Sequence, residues 1–196
     1  MNAERRALAA EILAAAREHD AAQADRLARF RNVEPESAEL LGGLVRATRA
    51  QRLLEIGTSR GYSTLWLADA AEAVDGRLVS VEIDPARAEL ARANLERAGL
   101  TAELRVEDAS ATLRDSADGA WDFVFLDAER PAYAGYWPDL LRTLRPAGGL
   151  LAIDNVLSHR DEVAEVLALI AAEPACSWWS ADPQTPPVRS VPRASL

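Results

Sequence analysis

Apolar positions follow two regimes along the chain. From Asn2 to Phe30 they are sparse, with Leu8, Ile12, Leu13, Leu27 and Phe30 at near-helical spacing among Ala, Glu and Arg. This pattern predicts a helical lead-in with a weak apolar face. Asn32-Val33-Glu34-Pro35 interrupts it, and Pro35 suits the first turn of a second helix through Leu40, Leu41, Leu44 and Val45. From Gln51 onward short apolar runs alternate with helical stretches. Strands are expected at 52–56, 77–83, 102–106, 121–126 and 149–153, and helices at 63–73, 86–98, 136–144 and 161–172. Asp84-Pro85 supplies a cap and a first-turn proline, and Gly99 a stop, for the helix between them. Alternation of this kind means a parallel sheet with right-handed crossovers, hence an open doubly wound α/β domain, mostly parallel. Residues 1–50 read as the helical lead-in of the same domain and 51–196 as its α/β core.

The tail breaks the pattern. Five of the ten prolines lie between Pro174 and Leu196. Residues 176–180 could add one strand, and the remainder of the tail reads as an atypical, irregular edge.

Composition narrows the class. The chain is 49% apolar and 27% charged, with a net charge of −9. That excludes a disordered chain and argues against nonspecific binding of nucleic acid or anionic membrane. No apolar run approaches the roughly 18 residues of a membrane helix, and Met1–Glu4 does not begin a signal peptide. With Cys176 as the only thiol, a cytoplasmic protein is expected. All 22 Lys+Arg positions are arginine, a bias that codon usage explains.

Ligands of doubly wound sheets bind beyond the carboxyl ends of the strands. Those ends carry the turn from Glu55 through Gly57, Thr58, Gly61 and Ser63, then Glu82, Asp108-Ala109, Asp127 and Asp154-Asn155. Gly57 and Gly61 let backbone approach a ligand, and Ser63 opens a helix whose amides can hold a carboxylate. The same turn also serves as a plain strand-to-helix connection. Glu82 occupies the place of an acid that bonds ribose hydroxyls. Asp127 with Asp154 and Asn155 offers three hard oxygen donors suited to Mg²⁺, although Asp154 or Asn155 could instead cap a helix.

Together, six ordered segments resemble the class I S-adenosylmethionine-dependent methyltransferases. They are N-V-E-P-E-S-A-E-L-L, L-L-E-I-G-T-S-R-G-Y-S-T-L-W-L-A, V-S-V-E-I-D, E-D-A-S, W-D-F-V-F-L-D-A-E-R-P-A-Y and G-G-L-L-A-I-D-N-V-L. The resemblance is strongest to the cation-dependent O-methyltransferases, which include catechol and caffeoyl-CoA O-methyltransferases and small bacterial relatives. It implies a Rossmann-like fold in which Gly57, Thr58 and Ser63 bind the methionine moiety of the cofactor, with Glu55 supporting the turn. Val33 would touch the cofactor, Glu82 its ribose, and Asp108-Ala109 its adenine. Asp127 would serve cofactor and metal, with Asp154 and Asn155 completing the metal set. A small, catechol-like acceptor is implied, and a homodimer is left open.

Two departures stand out. Where that family often carries a lysine base, three residues beyond the first metal Asp, this chain has Arg130, which cannot take a proton but could stabilise a phenolate or bind an acidic group. His159 is the one imidazole near the acids. Second, residues 183–196 lack the glycine-containing hairpin expected at the sheet edge. Two further readings compete: a cofactor-binding protein without catalysis, and a nicotinamide-dependent dehydrogenase. The latter is disfavoured by the missing G-x-G-x-x-G and by the Asp127, Asp154, Asn155 set.

Overall fold

The structure is a computed structural model and is described for residues 1–25 and 28–174. Helices α1 (Ala3–Ala22) and α2 (Pro35–Thr48) precede the alternating part. There follow β1 (Arg52–Ile56), α3 (Tyr62–Glu72), β2 (Arg77–Glu82), α4 (Pro85–Ala98), β3 (Glu103–Val106) and α5 (Ala109–Asp115). The described chain ends with β4 (Phe123–Leu126), a 3₁₀ turn (Arg130–Ala132), α6 (Tyr133–Thr143), β5 (Leu150–Ile153) and α7 (Arg160–Ala172). The strand order is β3-β2-β1-β4-β5, and every pairing is parallel. The chain reverses its winding between β1 and β4, so the switch point opens between Gly57 and Asp127.

Alternation within each strand divides the core in two. Leu53, Leu78, Phe123 and Phe125 face α2, α3 and α4, with α1 outside them; Leu54, Val79, Val124 and Leu126 face α5, α6 and α7. Both faces are covered, which is why the central strands are almost wholly apolar. Helix α3 is buried along nearly its whole length, from Tyr62 to Ala71. Beside it, Asp69 is buried among the Arg5 and Arg46 guanidinium groups, fixing α1 and α2 onto α3.

The structure corrects several boundaries. The lead-in helix stops at Ala22, not near Phe30, because the Asp20 carboxylate accepts hydrogen bonds from the Phe30 and Arg31 amides and turns the chain back. The fourth strand starts at Phe123 and not at Trp121. Asp122 is drawn out of it by the amides of Gln51 and Arg52 and by the Arg52 guanidinium. The α6 helix begins at Tyr133, three residues earlier than its apolar spacing suggests. Helix α5 has no counterpart among the expected elements; Asp108 caps it by accepting from the Ser110 amide. The expected strand at 176–180 and the edge at 183–196 lie outside the described residues.

Candidate functional site

The turn after β1 is built to bring backbone against the end of β4. Gly57 has a φ of +104°, and a Cβ placed there would sit 2.1 Å from the Asp127 carbonyl oxygen. Only glycine fits. The Gly57 and Thr58 amides donate to the Val81 carbonyl at 2.9 and 3.2 Å, pinning the turn to β2. Gly61, with φ +87°, lets the start of α3 press on Ala91 of α4. Glu82, at the end of β2, accepts from the Ser59 amide at 2.7 Å and the Asp84 amide at 3.0 Å. Its carboxylate is thereby oriented at the cleft wall, together with Gly57, Ser59, Ile83, Asp108 and Ala109.

Glu55 lies beneath this surface. It is fully buried, and it accepts from Ser63 Oγ at 2.5 Å, Thr64 Oγ1 at 2.6 Å and Ser80 Oγ at 2.6 Å. Thr58 Oγ1 and Ser80 Oγ share a further hydrogen bond at 2.5 Å. Burial, only partly offset by the three hydroxyls, pushes the Glu55 carboxyl up to about 7. Glu55, Thr58 and Ser63 therefore form a hydrogen-bonded layer under the turn, whereas Gly57 and Val33 line the cleft itself.

The acids at the ends of β4 and β5 converge. Burial, and then the charge of Asp154, pushes Asp127 well above the usual carboxylate range, against the opposing pull of Arg31 and Arg130. Burial raises Asp154 as well. Asn155 adopts a left-handed conformation, φ 62°, and its Nδ2 donates to Asp154 Oδ2 at 2.8 Å. Among the described residues the Asp127 side chain receives no hydrogen bond, so a partly buried acid faces the cleft without a donor. Two crowded carboxylates fit a hard cation; Asn155 turns its amide nitrogen to Asp154 while its Oδ1 accepts from Ser158 Oγ at 3.1 Å, so it would join the set through Oδ1 by turning its amide. Asn155 is essential to that fit, because no three His, Cys, Asp or Glu side chains among the described residues could hold a metal ion.

Arg130 is 4% exposed, and its Nε donates to Glu162 Oε2 of α7 at 2.8 Å. His159 also lines the cleft, with its Nδ1 2.9 Å from Ser158 Oγ.

Residues 28–34 form a strap over the cleft that the apolar pattern does not reveal. The Phe30 carbonyl accepts from Ser59 Oγ at 3.1 Å, and the Arg60 guanidinium lies 4.8 Å from the Phe30 ring centre. Arg31 forms an ion pair with Glu129 on the far side of the mouth. None of these partners is near Phe30 or Arg31 in sequence, and no local signal announces them.

Comparison with known proteins agrees with this geometry. The family described as O-methyltransferase matches residues 3–171. A catechol O-methyltransferase of Mycobacterium tuberculosis is 39% identical over 161 residues, which is 81% of this chain and 69% of that protein. A catechol O-methyltransferase of Niastella koreensis is 38% identical over 149 residues, 74% of this chain. The match spans 65% of the Niastella protein, just under two thirds. Among solved structures, an O-methyltransferase from Bacillus cereus in complex with S-adenosylhomocysteine superposes with a TM-score of 0.70 at 31% identity, covering 86% of this chain and 80% of that one. An O-methyltransferase of Streptomyces achromogenes involved in tomaymycin synthesis, in complex with S-adenosylmethionine, gives 0.71 at 31% identity, covering 85% and 78%.

Proposed function

The chain belongs to the O-methyltransferase family, and from that premise we propose that it transfers methyl from S-adenosylmethionine to a hydroxyl of a small, catechol-like acceptor held by a divalent cation. The observation that carries this reading is the meeting of Asp127 with Asp154 and Asn155 at adjacent strand ends, across from the glycine turn after β1.

The residues divide the work. Bare backbone at Gly57 leaves room for the methionine part of the cofactor, and the layer of Glu55, Thr58 and Ser63 holds that turn rigid. Glu82, oriented by two amides, accepts ribose hydroxyls, and Asp108 and Ala109 flank the adenine. Val33 closes the cofactor side from the strap. When bound, the cofactor supplies an electrophilic methyl on a positively charged sulfur. Asp127, Asp154 and Asn155 would hold a cation, which lowers the pKa of a coordinated hydroxyl. The protein's main contribution is then to align acceptor oxygen, methyl carbon and sulfur and to exclude water.

The test is methyl transfer to catechol from labelled S-adenosylmethionine, with Mg²⁺ and with a chelator. Turnover that requires the metal is expected, with a loss of at least a hundredfold in the Asp154→Asn variant. Equal turnover in chelator would remove the cation from the mechanism. Tight cofactor binding without turnover of any acceptor would favour a protein that has lost catalysis.

A further inference from the structure

Resting on the methyl-transfer reading, we propose that Arg130 makes the cleft selective for acceptors whose reacting hydroxyl is already ionised near neutral pH. The guanidinium is a buried cation on the cleft wall, close enough to act on both Asp127 and Asp154. Its one hydrogen bond among the described residues runs from Nε to Glu162, and both Nη groups are left without a protein partner there. A fixed cation beside the metal-binding acids favours an oxyanion and does nothing for a neutral hydroxyl.

Around it only the His159 ring keeps a nitrogen open to a proton. Arg130 itself cannot serve as a base, and the chain contains no lysine. Tyr133 is buried and donates its hydroxyl hydrogen to the Ala128 carbonyl at 3.0 Å. Glu129 is paired with Arg31 across the mouth of the cleft. The His159 Nδ1 is shared with Ser158, which leaves Nε2 as the ring nitrogen without a hydrogen-bond partner among the described residues. Asp127 and Asp154 are committed to the cation. The proton therefore leaves the acceptor, to solvent or to His159 Nε2, before the methyl moves, and Arg130 holds the oxyanion that remains. In the transfer itself, the acceptor oxyanion donates an electron pair to the methyl carbon as the carbon–sulfur bond breaks. The products are a methyl ether and a neutral thioether, and no proton moves in that step.

Glu162 sets the strength of this field. It is 39% exposed and shares the charge of Arg130 from the α7 side. Removing Arg130 and removing its counter-charge should thus act in opposite directions, which loss of folding cannot imitate.

The experiment uses 4-nitrocatechol, whose ionised form absorbs visible light and whose hydroxyl is far more acidic than that of catechol. Its ionisation is titrated spectroscopically on the wild-type protein with Mg²⁺ and S-adenosylhomocysteine, then on Arg130→Gln and Glu162→Gln. The midpoint is expected to rise by about one pH unit in R130Q and to fall in E162Q. In parallel turnover assays, the wild type should use 4-nitrocatechol at least tenfold faster than catechol, and Arg130→Lys should narrow that ratio by giving the cleft a group able to accept a proton. A midpoint that does not move in R130Q, or equal wild-type rates on the two acceptors, would overturn the role given to Arg130. No turnover of either acceptor would instead count against the methyl-transfer reading on which it rests.

Discussion

Glu55 is held out of water by three hydroxyl donors, and its ionisation bears on the stability of the whole turn. Its carboxyl is raised from near 4.5 to about 7, so the folded protein binds a proton there that the unfolded chain releases at lower pH. Stability from this group is complete below about pH 4.5 and is lost as pH rises toward 7, by at most about 1.4 kcal/mol per pH unit. Glu55→Gln cannot ionise. Its melting temperature should therefore gain on the wild type between pH 5 and about pH 7 and level off above that, as followed by circular dichroism; parallel melting profiles would show that Glu55 titrates normally. The residue types were legible here and their partnerships were not. An acid, two glycines and a serine in one turn point to a ligand, but Ser80 donates to Glu55 from another strand, 25 positions away. Arg130 and Glu162 are 32 positions apart, and only the packing of α7 against the 3₁₀ turn joins them.

The elements behind the switch point follow from local rules. Five strands and most helices were readable because apolar runs, proline at first turns and glycine at stops are all short-range signals. Helix α5 escaped them. It has seven residues and buries only Ala109, Thr112 and Leu113, too little to establish a period. The strap at 28–34 escaped for another reason: what shapes it is Asp20, whose carboxylate grips two amides ten and eleven residues onward. Burial works against that carboxylate, but the Phe30 and Arg31 amides hold it below its ordinary range, so it stays ionised and gripping through neutral pH. Asp20→Ala should release the strap while leaving α1 helical. Calorimetry is then expected to show S-adenosylhomocysteine binding about tenfold more weakly, a difference of about 1.4 kcal/mol, with far-ultraviolet circular dichroism unchanged. Unaltered affinity would mean that the strap merely rests on the cleft.

At the scale of the molecule, the parallel order β3-β2-β1-β4-β5 is shared by sheets that bind nucleotides of very different kinds, so fold alone does not choose the cofactor. The choice is made at three strand ends. A turn with Gly57 and Gly61, in place of G-x-G-x-x-G, presents fewer glycines to a pyrophosphate. Once ionised, Asp127 and Asp154 would repel one, while a sulfonium cation placed beside them favours their ionised form against the burial that pushes both toward neutrality. Binding linkage converts that difference into a measurable shift. A ligand at a hundred times its dissociation constant stabilises by about 2.7 kcal/mol, and each kcal/mol moves the melting temperature by about 2–4 °C in a domain of this size. S-adenosylhomocysteine is therefore expected to raise the melting temperature by about 5–10 °C at saturation. S-adenosylmethionine, which carries the positive sulfur, should give at least as large a shift, and NAD none at the same concentration. Loss of the difference between the two sulfur forms in Asp127→Asn would tie the preference to that carboxylate. A shift with NAD as large as that with S-adenosylhomocysteine would return the sheet to the dinucleotide-binding class.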